Sequence, residues 1–214
     1  MPTDNGKSGD MPGLLLFGAG GHARVVADAV LRAPLARAIF ASDRNDAVCT
    51  GELLPGIPMV PVAKALLLGR FHLHVAIGDN ASRERECRAF GSERMQSIHH
   101  PAAVVSPWAH IGAGSFIAAN AIVAPGARLG RGVIVNHGAI VDHDVEIGDF
   151  AHIAPAAVLG GGSRIGRAVL VGSGAVVQPR LVVTADVIIG SGSVVCRQID
   201  MPGTWVGVPA RRIL

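Results

Sequence analysis

The second half of the chain carries an aliphatic residue at every sixth position. From Val105 to Val195, sixteen consecutive positions of this register hold only valine, isoleucine or leucine. The position four residues later is restricted to small or aliphatic residues, as at Ala109 and Val133. Hexapeptide repeats are typical of the parallel β-helix, in which each hexad is a short strand and a corner. The pattern therefore predicts a solenoid whose axis is filled by an aliphatic column.

Glycine often follows the repeating aliphatic residue, as in Ile111-Gly112 and Ile147-Gly148. Because glycine adopts a positive φ without a Cβ clash, we expect these glycines at the corners of the solenoid. The alternative fold, a β-sandwich, would show two-residue alternation and irregular spacing instead.

Before the repeat, short apolar runs alternate with amphipathic stretches, which predicts a small parallel sheet with helices on its faces. The predicted elements are strand Leu14–Phe17, helix His22–Leu31, strand Ala38–Ala41, helix Val62–Leu68, strand His72–Ile77, helix Ala81–Phe90 and strand Met95–Ile98. The predicted fold is thus an α/β, Rossmann-like N-terminal domain followed by a parallel β-helix. We expect a disordered tail at 1–13, the Rossmann-like domain at 14–100, the β-helix at 101–200 and a C-terminal segment at 201–214.

Composition and charge narrow the class of protein. Half of the residues are hydrophobic (50%), only 4% are aromatic, and no apolar run reaches the roughly 18 residues of a membrane span. The net charge of +3 is spread along the chain, whereas nucleic-acid binding requires a clustered basic face. The three cysteines are an odd, widely spaced set, which favours free thiols in the cytoplasm over disulfides or a zinc site.

His143 is the candidate general base of the repeat half. It lies two residues after a repeat position, so its side chain is expected to point outward, and Asp142 and Asp144 flank it. A neutral imidazole accepts protons near neutral pH, and a carboxylate partner orients it and raises its basicity. Which aspartate is the main partner stays open, and the alternative is a surface histidine in an acidic turn.

Gly161 follows His143 by three hexads, and we therefore expect it to stack against His143 one coil further along. A glycine there exposes a backbone N–H that can stabilise an oxyanion. An ordinary corner glycine is the alternative.

A glycine-rich loop follows the first predicted strand. Gly18-x-Gly20-x-x-Ala23 fits the dinucleotide fingerprint, in which glycines let backbone N–H groups approach a phosphate at a helix N-terminus. About 90 residues form only half of a dinucleotide fold, which argues against NAD. Asp79 and Asn80 follow the third strand and are either part of this site or a helix cap.

Motifs along nearly the whole chain, Leu14 to Leu214, resemble a known family. This family comprises the hexapeptide acyltransferases that N-acetylate amino sugars on nucleotide carriers and their sialic-acid O-acetyltransferase relatives. The matching motifs are Gly18-Ala19-Gly20-Gly21-His22, Gly78-Asp79-Asn80, His99-His100-Pro101, Asp142-His143-Asp144 and Gly207-Val208-Pro209-Ala210-Arg211.

The resemblance implies a left-handed solenoid, a homotrimer with active sites between subunits, and acetyl-CoA in the groove between neighbouring solenoids, with no metal. It implies catalytic roles for His143, Asp144 and Gly161. The acetyl-CoA contacts it implies are His152, Gly161, Ser173 and Ser191. The expected substrate contacts are Gly20, Gly21, His22, Ser42, Asp43, Gly78, Asp79, Asn80 and Asn136, the last with a structural role as the alternative.

The expected function is acetyl-CoA-dependent N-acetylation of a UDP- or GDP-linked amino sugar in the cytoplasm, by direct attack of the amine on the thioester. The alternatives are O-acetylation of sialic acid or a related sugar, a non-catalytic hexapeptide scaffold, and a nucleotide sensor that binds NAD. The sugar, the nucleotide and the pathway stay open at this stage.

Overall fold

The computed structural model describes residues 13–33, 38–67, 71–91 and 94–213, which form an α/β domain and a β-solenoid. The tail expected over 1–13 lies outside the described residues except for Gly13. That residue opens the first strand and is not part of a tail.

The α/β domain is built around a three-stranded parallel sheet in the order β2-β1-β5. Its elements are β1 (Gly13–Phe17), α1 (Gly21–Arg32), β2 (Ile39–Ser42), a 3₁₀ turn (Asp46–Val48), β3 (Glu52–Leu54), β4 (Ile57–Pro58), α2 (Val62–Leu67), β5 (Phe71–Val75) and α3 (Asn80–Phe90). Helix α1 buries Val26, Ala29 and Val30, because their spacing places them on one face. The predicted parallel sheet is confirmed, and β3 and β4 add an antiparallel hairpin.

The solenoid is a stack of short parallel strands, each paired with the strand 18 residues later, as Val141 pairs with Leu159. Its strands are β6 (Ile98–His99), β7 (Val104–Val105), β8 (His110–Ile111), β9 (Phe116–Ile117), β10 (Ile122–Val123), β11 (Arg128–Leu129), β12 (Ile134–Val135), β13 (Ile140–Val141), β14 (Glu146–Ile147), β15 (His152–Ile153), β16 (Val158–Leu159), β17 (Arg164–Ile165), β18 (Leu170–Val171), β19 (Val176–Val177), β20 (Val182–Val183), β21 (Val187–Ile189) and β22 (Val194–Val195). A C-terminal hairpin of β23 (Gly203–Val206) and β24 (Arg211–Ile213) extends the sheet that contains β21.

Three faces and three corners result from this stacking. The first face contains β7, β10, β13, β16, β19 and β22, the second contains β8, β11, β14, β17 and β20, and the third contains β6, β9, β12, β15, β18, β21 and the hairpin. We call the turn from the first face to the second the first corner, that from the second to the third the second corner, and that from the third to the first the third corner. Residues 142–145, 148–151 and 136–139 are one turn of each, in that order.

The axial aliphatic column is confirmed. From Ile117 to Val195 every repeat residue is at most 4% exposed, and Val105 and Ile111 pack partly buried at the first coil. The residue two before the next repeat position, such as Ala139 or Val145, is buried beside it. Small and branched side chains therefore fill an interior that has little room for aromatic rings.

The expected role of the glycines after the repeat residue is wrong. Positive φ angles occur two residues further on, at Gly132 (61°) and also at non-glycine residues such as Phe150 (59°). Gly112 lacks a positive φ, but a Cβ there would lie 2.4 Å from the carbonyl carbon of Gly130 in the next coil. These glycines are required because successive coils approach each other closely.

The strand predicted over Met95–Ile98 is also wrong. Met95 forms only a bridge with Leu73 of the α/β sheet, and Ile98 and His99 instead begin the third face by pairing with Phe116 and Ile117. In the hexad register His99 occupies a repeat position. A histidine in place of an aliphatic residue concealed this first strand of the solenoid.

The α/β domain packs against the third face and the second corner. Ile98, Phe116 and Ile134 of the third face share a buried cluster with Val26 and Val30 of α1. None of the helices within the described ranges is long and apolar enough to cross a membrane.

Candidate active site

His143 and Asp144 form a hydrogen-bonded pair on the first corner. His143 Nδ1 donates to Asp144 Oδ2 at 2.9 Å, whereas Asp142 Oδ1 accepts the backbone N–H of His143 at 2.7 Å. Asp144 is therefore the partner of the ring. It takes the left-handed φ of 58° that aspartate tolerates better than most residues.

The environment of His143 suits a base that faces solvent. The hydrogen bond to Asp144, and next the charge of Asp142, raise the pKa of His143 above its ordinary value. The side chain is 63% exposed, and its Nδ1 is held by Asp144. Because Nδ1 carries the proton, the lone pair of Nε2 is left for a substrate.

Gly161 stacks directly on the His143 ring. A Cβ at Gly161 would lie 2.5 Å from His143 Nε2, and the Gly161 N–H has no acceptor among the described residues. At the same position of the first corner, three other coils have Pro107, Pro125 and Pro179, which lack an N–H. Of these five coils, one places an imidazole at this corner position and the next places a backbone N–H beside it. Among the five, the first corner therefore offers a base next to a free hydrogen-bond donor only at His143 and Gly161.

A cleft of about 370 Å³ surrounds the glycine loop of the α/β domain. Gly20 caps α1, and a Cβ on Gly20 or Gly21 would meet nothing within 4 Å, so the loop is open to a ligand. Asp43 Oδ2 accepts the Ala19 N–H at 3.1 Å and fixes the loop. The N-terminus of a helix with accessible N–H groups is a site for phosphate.

The predicted substrate contact of Ser42 is wrong, whereas that of Asn80, which lines the cleft of His152 described below, stays a prediction. Ser42 is fully buried, because its position on β2 turns the side chain into the domain and away from the cleft. Asn80 uses both ends of its amide within the protein: Oδ1 accepts from Arg83 Nη2 at 2.9 Å, and Nδ2 donates to Ala168 O at 2.9 Å. Asp79 caps α3 by accepting the Ser82 N–H at 2.8 Å, as the capping alternative expects.

His22, His152 and Asn136 meet where the α/β domain touches the third face. His152 Nδ1 donates to Gly78 O at 3.3 Å, and Asn136 Nδ2 donates to His152 Nε2 at 3.1 Å. Asn136 Oδ1 also accepts the backbone N–H of His137 at 2.9 Å, which supports the structural alternative for Asn136. The three side chains belong to one polar cluster between the domains.

The histidines of this cluster are neutral. Burial lowers the pKa of His22 to about 3 and that of His152 to about 4. The His22 ring lies edge-on to Phe116 with centroids 5.5 Å apart, and its buried Nε2 has no hydrogen-bond partner among the described residues. A neutral histidine with a free ring nitrogen can donate to or accept from a polar ligand.

A second cleft of about 470 Å³ contains His152, Asp79 and Arg167. Gly78 lines both this cleft and the cleft of the glycine loop, so the two adjoin at Gly78.

The predicted site residues do not meet within one chain. His143 and Gly161 lie on the first corner, the exposed Ser173 and Ser191 lie on the third, and His152 lies at the start of the third face. Arg44, Arg85 and Glu86 also line the glycine-loop cleft and were not predicted from the sequence. Nothing in their sequence context distinguishes them from the charges of a solvated helix or turn.

Comparison with known proteins places these features in a family. Residues 13–90 match the family model described as the PglD N-terminal domain. The acetyltransferase domain of PglB from Neisseria gonorrhoeae is 35% identical, with a TM-score of 0.86, 94% of this chain covered and 99% of that chain. The chain belongs to the left-handed β-helix acetyltransferases.

A second solved structure extends this similarity. PerB from Caulobacter crescentus, in complex with CoA and GDP-perosamine, is 32% identical over 95% of this chain and 98% of its own, with a TM-score of 0.86. WeeI from Acinetobacter baumannii, at 18% identity and a TM-score of 0.62, shares the fold. The fold of an α/β domain and a left-handed solenoid is thus confirmed for this chain.

Proposed function

We propose that this protein transfers the acetyl group of acetyl-CoA to the amino group of a nucleotide-linked amino sugar. The observation that carries the proposal is the His143–Asp144 pair stacked on the free N–H of Gly161, in a chain with a glycine-loop cleft. Similar proteins were solved with acetyl-CoA and with CoA and GDP-perosamine.

The residues divide the chemistry between them. The sugar amine attacks the thioester carbonyl carbon, His143 Nε2 accepts the proton that the amine loses, and the Gly161 N–H stabilises the oxyanion. Collapse of the tetrahedral intermediate breaks the C–S bond, and the imidazolium of His143 returns its proton to the departing CoA sulfur. Asp144 stabilises the imidazolium between these two steps.

The α/β domain binds the nucleotide. The N–H groups of Gly20 and Gly21, at the start of α1, bind the diphosphate, and Asp43 lies beside them for the ribose or base. The sugar extends past Gly78 toward His22 and His152.

We propose a trimer whose subunits meet through the first face. Every outward-facing strand residue of this face is aliphatic, whereas the second face presents charged residues such as Arg128 and Glu146. The aliphatic residues are Val104, Ile122, Ile140, Val158, Val176 and Val194. A face of this kind requires cover, and a heterologous interface that closes into a ring provides it.

The ring brings the separated site residues together. With the first faces toward the axis, the first corner of one subunit lies against the third corner of the next. His143 and Gly161 then face Ser173 and Ser191 of the neighbouring copy across a groove for acetyl-CoA. The His22 and His152 cluster of the neighbour lies beside the same groove. We place the reaction in the cytoplasm, where acetyl-CoA is available.

A thiol-release assay with acetyl-CoA and a panel of GDP- and UDP-linked amino sugars tests the function. We expect turnover of a nucleotide amino sugar and a loss of about 10²–10⁴ in kcat for His143→Asn. His110→Asn is the matched control, since His110 is an exposed histidine on the second face, which the proposed trimer leaves outside the groove. Acetylation of free sialic acid with no turnover of any nucleotide amino sugar would show that the proposal is wrong.

A further inference from the structure

Arg83 of α3 is a fully buried arginine at the junction of the two domains. Its side chain is only 1% exposed, and it forms no salt bridge with any carboxylate of the described residues. Burial lowers the pKa of Arg83 to about 10, which leaves it charged at neutral pH. A buried charge without an ionic partner is costly unless its donors are satisfied, so its hydrogen bonds require explanation.

The donors of Arg83 bind two separate parts of the protein. On the solenoid, Nε donates to Gly132 O and Nη2 to Phe150 O, each at 2.7 Å. On the α/β domain, Nη1 donates to Ile77 O and Gly78 O, each at 3.0 Å. One planar guanidinium therefore joins the loop between β5 and α3 to two successive coils.

The solenoid carbonyls that Arg83 uses are free for a structural reason. Gly132, Phe150 and Ala168 stack on the second corner, all with positive φ, and their carbonyls take no part in the backbone bonds between coils. Arg83 takes the first two, and Asn80 Nδ2 takes that of Ala168 at 2.9 Å. The α/β domain is thus attached to three coils in a row.

The loop held in this way lies at the junction of the two clefts. Gly78 O accepts from Arg83 Nη1 and also from His152 Nδ1, and Gly78 lines both clefts. A shift of this loop would move the path of the sugar and would release His152 from its acceptor. Displacements of about 1 Å at a reacting centre can reduce rates by about 10²-fold.

We propose that Arg83 is a positioning residue: it fixes the loop Ile77–Asn80 against the solenoid and thereby sets where the amine of the bound sugar is presented. This inference rests on the proposed function of the site. Arg83 touches neither the nucleotide loop at Gly20 nor the His143 corner, so its contribution is to placement of the sugar.

The test compares Arg83→Met and Arg83→Lys with Arg88→Met, an exposed arginine one turn further along α3. Steady-state kinetics would use the nucleotide amino sugar that the unchanged protein turns over, and calorimetry would use GDP or UDP alone. We expect kcat to fall at least tenfold for Arg83→Met and less for Arg83→Lys. The KM for acetyl-CoA and the nucleoside diphosphate affinity should change less than threefold, and Arg88→Met should be unaffected.

A purely structural role gives a different result. In that case the Arg83 variants melt at lower temperature but keep the kcat of the unchanged protein when assayed well below the transition, which would overturn the inference. If Arg83→Met does not fold, Arg83→Lys and Asn80→Ala must still show the selective fall in kcat. Turnover by the unchanged protein separates the two proposals: its absence rejects the function and this inference together, whereas turnover with unaffected variants rejects only the inference.

Discussion

The pairing of His143 with Asp144 is a surface interaction whose value lies in orientation. Both side chains are more than half exposed, so solvent screens their attraction, and the pair contributes little to folding. The hydrogen bond at Nδ1 instead selects the tautomer in which Nε2 faces outward. The same bond raises the pKa of His143, which makes it a stronger base but requires a higher pH to deprotonate it.

Substitution Asp144→Asn should therefore move the pH profile. The base acts when unprotonated, so kcat/KM falls as the pH drops through the pKa of His143. Loss of the charged hydrogen-bond acceptor at Asp144 lowers this pKa, and the acidic limb should shift to lower pH while the maximal rate falls about 10–100-fold. Asp142→Asn should shift the limb less, because Asp142 does not bind the ring. An acidic limb that stays in place in pH–rate profiles of Asp144→Asn would contradict this assignment.

Gly161→Ala tests the stacking of glycine on the base. The new methyl group would lie 2.5 Å from His143 Nε2, so the ring must turn away and kcat should fall more than tenfold. Gly138→Ala is the control, because a Cβ there meets nothing within 4 Å and alanine adopts the same positive φ at the equivalent hexad positions 156 and 168. Equal kinetics for the two variants would remove Gly161 from the site.

Within each coil, glycine occurs at two positions, and a different physical cause favours it at each. Some of those with positive φ, such as Gly138 and Gly174, are replaceable, since a Cβ there meets nothing within 4 Å and Asp144, Phe150 and Ala156 adopt the same backbone. Those directly after a repeat residue have ordinary dihedrals, but the next coil leaves no space for a Cβ, as at Gly166 and Gly172. At the position directly after a repeat residue, glycine is therefore required by the close spacing of the coils and not by the dihedral angles of the turn.

Gly166→Ala should consequently destabilise the fold. Its Cβ would lie 2.4 Å from the backbone nitrogen of Ala185, and backbone cannot move aside as a side chain can. We expect a loss of about 3 kcal/mol in the free energy of unfolding. In Gly138→Ala the only cost is an alanine with a left-handed φ, so the free energy of unfolding should fall by about 1 kcal/mol. Urea denaturation of both variants measures the difference, and equal losses would show that close approach of the coils is not the reason.

Sequence reasoning reached the solenoid because one residue per hexad obeys one rule, and it reached His143 because carboxylates flank it in the chain. It failed where the answer depends on the direction of a side chain, as for Ser42, which strand pairing turns inward. The contacts of Asn80 depend on the tertiary fold in the same way, since its amide donates to Ala168 on a distant coil of the solenoid. Arg83 gave no signal, because a buried arginine and a solvated one look alike in a charged helix.

In the whole molecule, the proposed base and the proposed sugar-binding cluster occupy different sides of one triangular solenoid. His143 extends from the first corner, whereas His22 and His152 lie at the third face under the α/β domain. A single chain therefore holds both halves of the proposed site but does not join them.

Complementation between two inactive variants tests whether the site is shared. His143→Asn and His22→Ala should each be nearly inactive alone. Random trimers refolded from an equal mixture should regain about one quarter of the unchanged activity, because a site works when one copy supplies an intact His143 and its neighbour supplies an intact His22. No recovery in a mixture that forms mixed trimers by mass spectrometry would place both histidines of a site in one chain.

The α/β domain is attached to the solenoid at Gly132, Phe150 and Ala168. The distance along the solenoid axis from this domain to a corner side chain can therefore change only in steps of one coil. One step is about 4.8 Å, the spacing of neighbouring coils, because the domain binds equivalent carbonyl groups on successive coils. Transfer of the histidine–aspartate pair by 18 residues, to Pro125 and Gly126, would move the proposed base by one step while the glycine-loop cleft stayed in place. The moved base also needs a glycine one coil further along, at position 143, in the role that Gly161 has for His143. Acceptors that differ in reach by one such step are thus accessible to this scaffold through a few substitutions at stacked positions, without any change in the length of the chain.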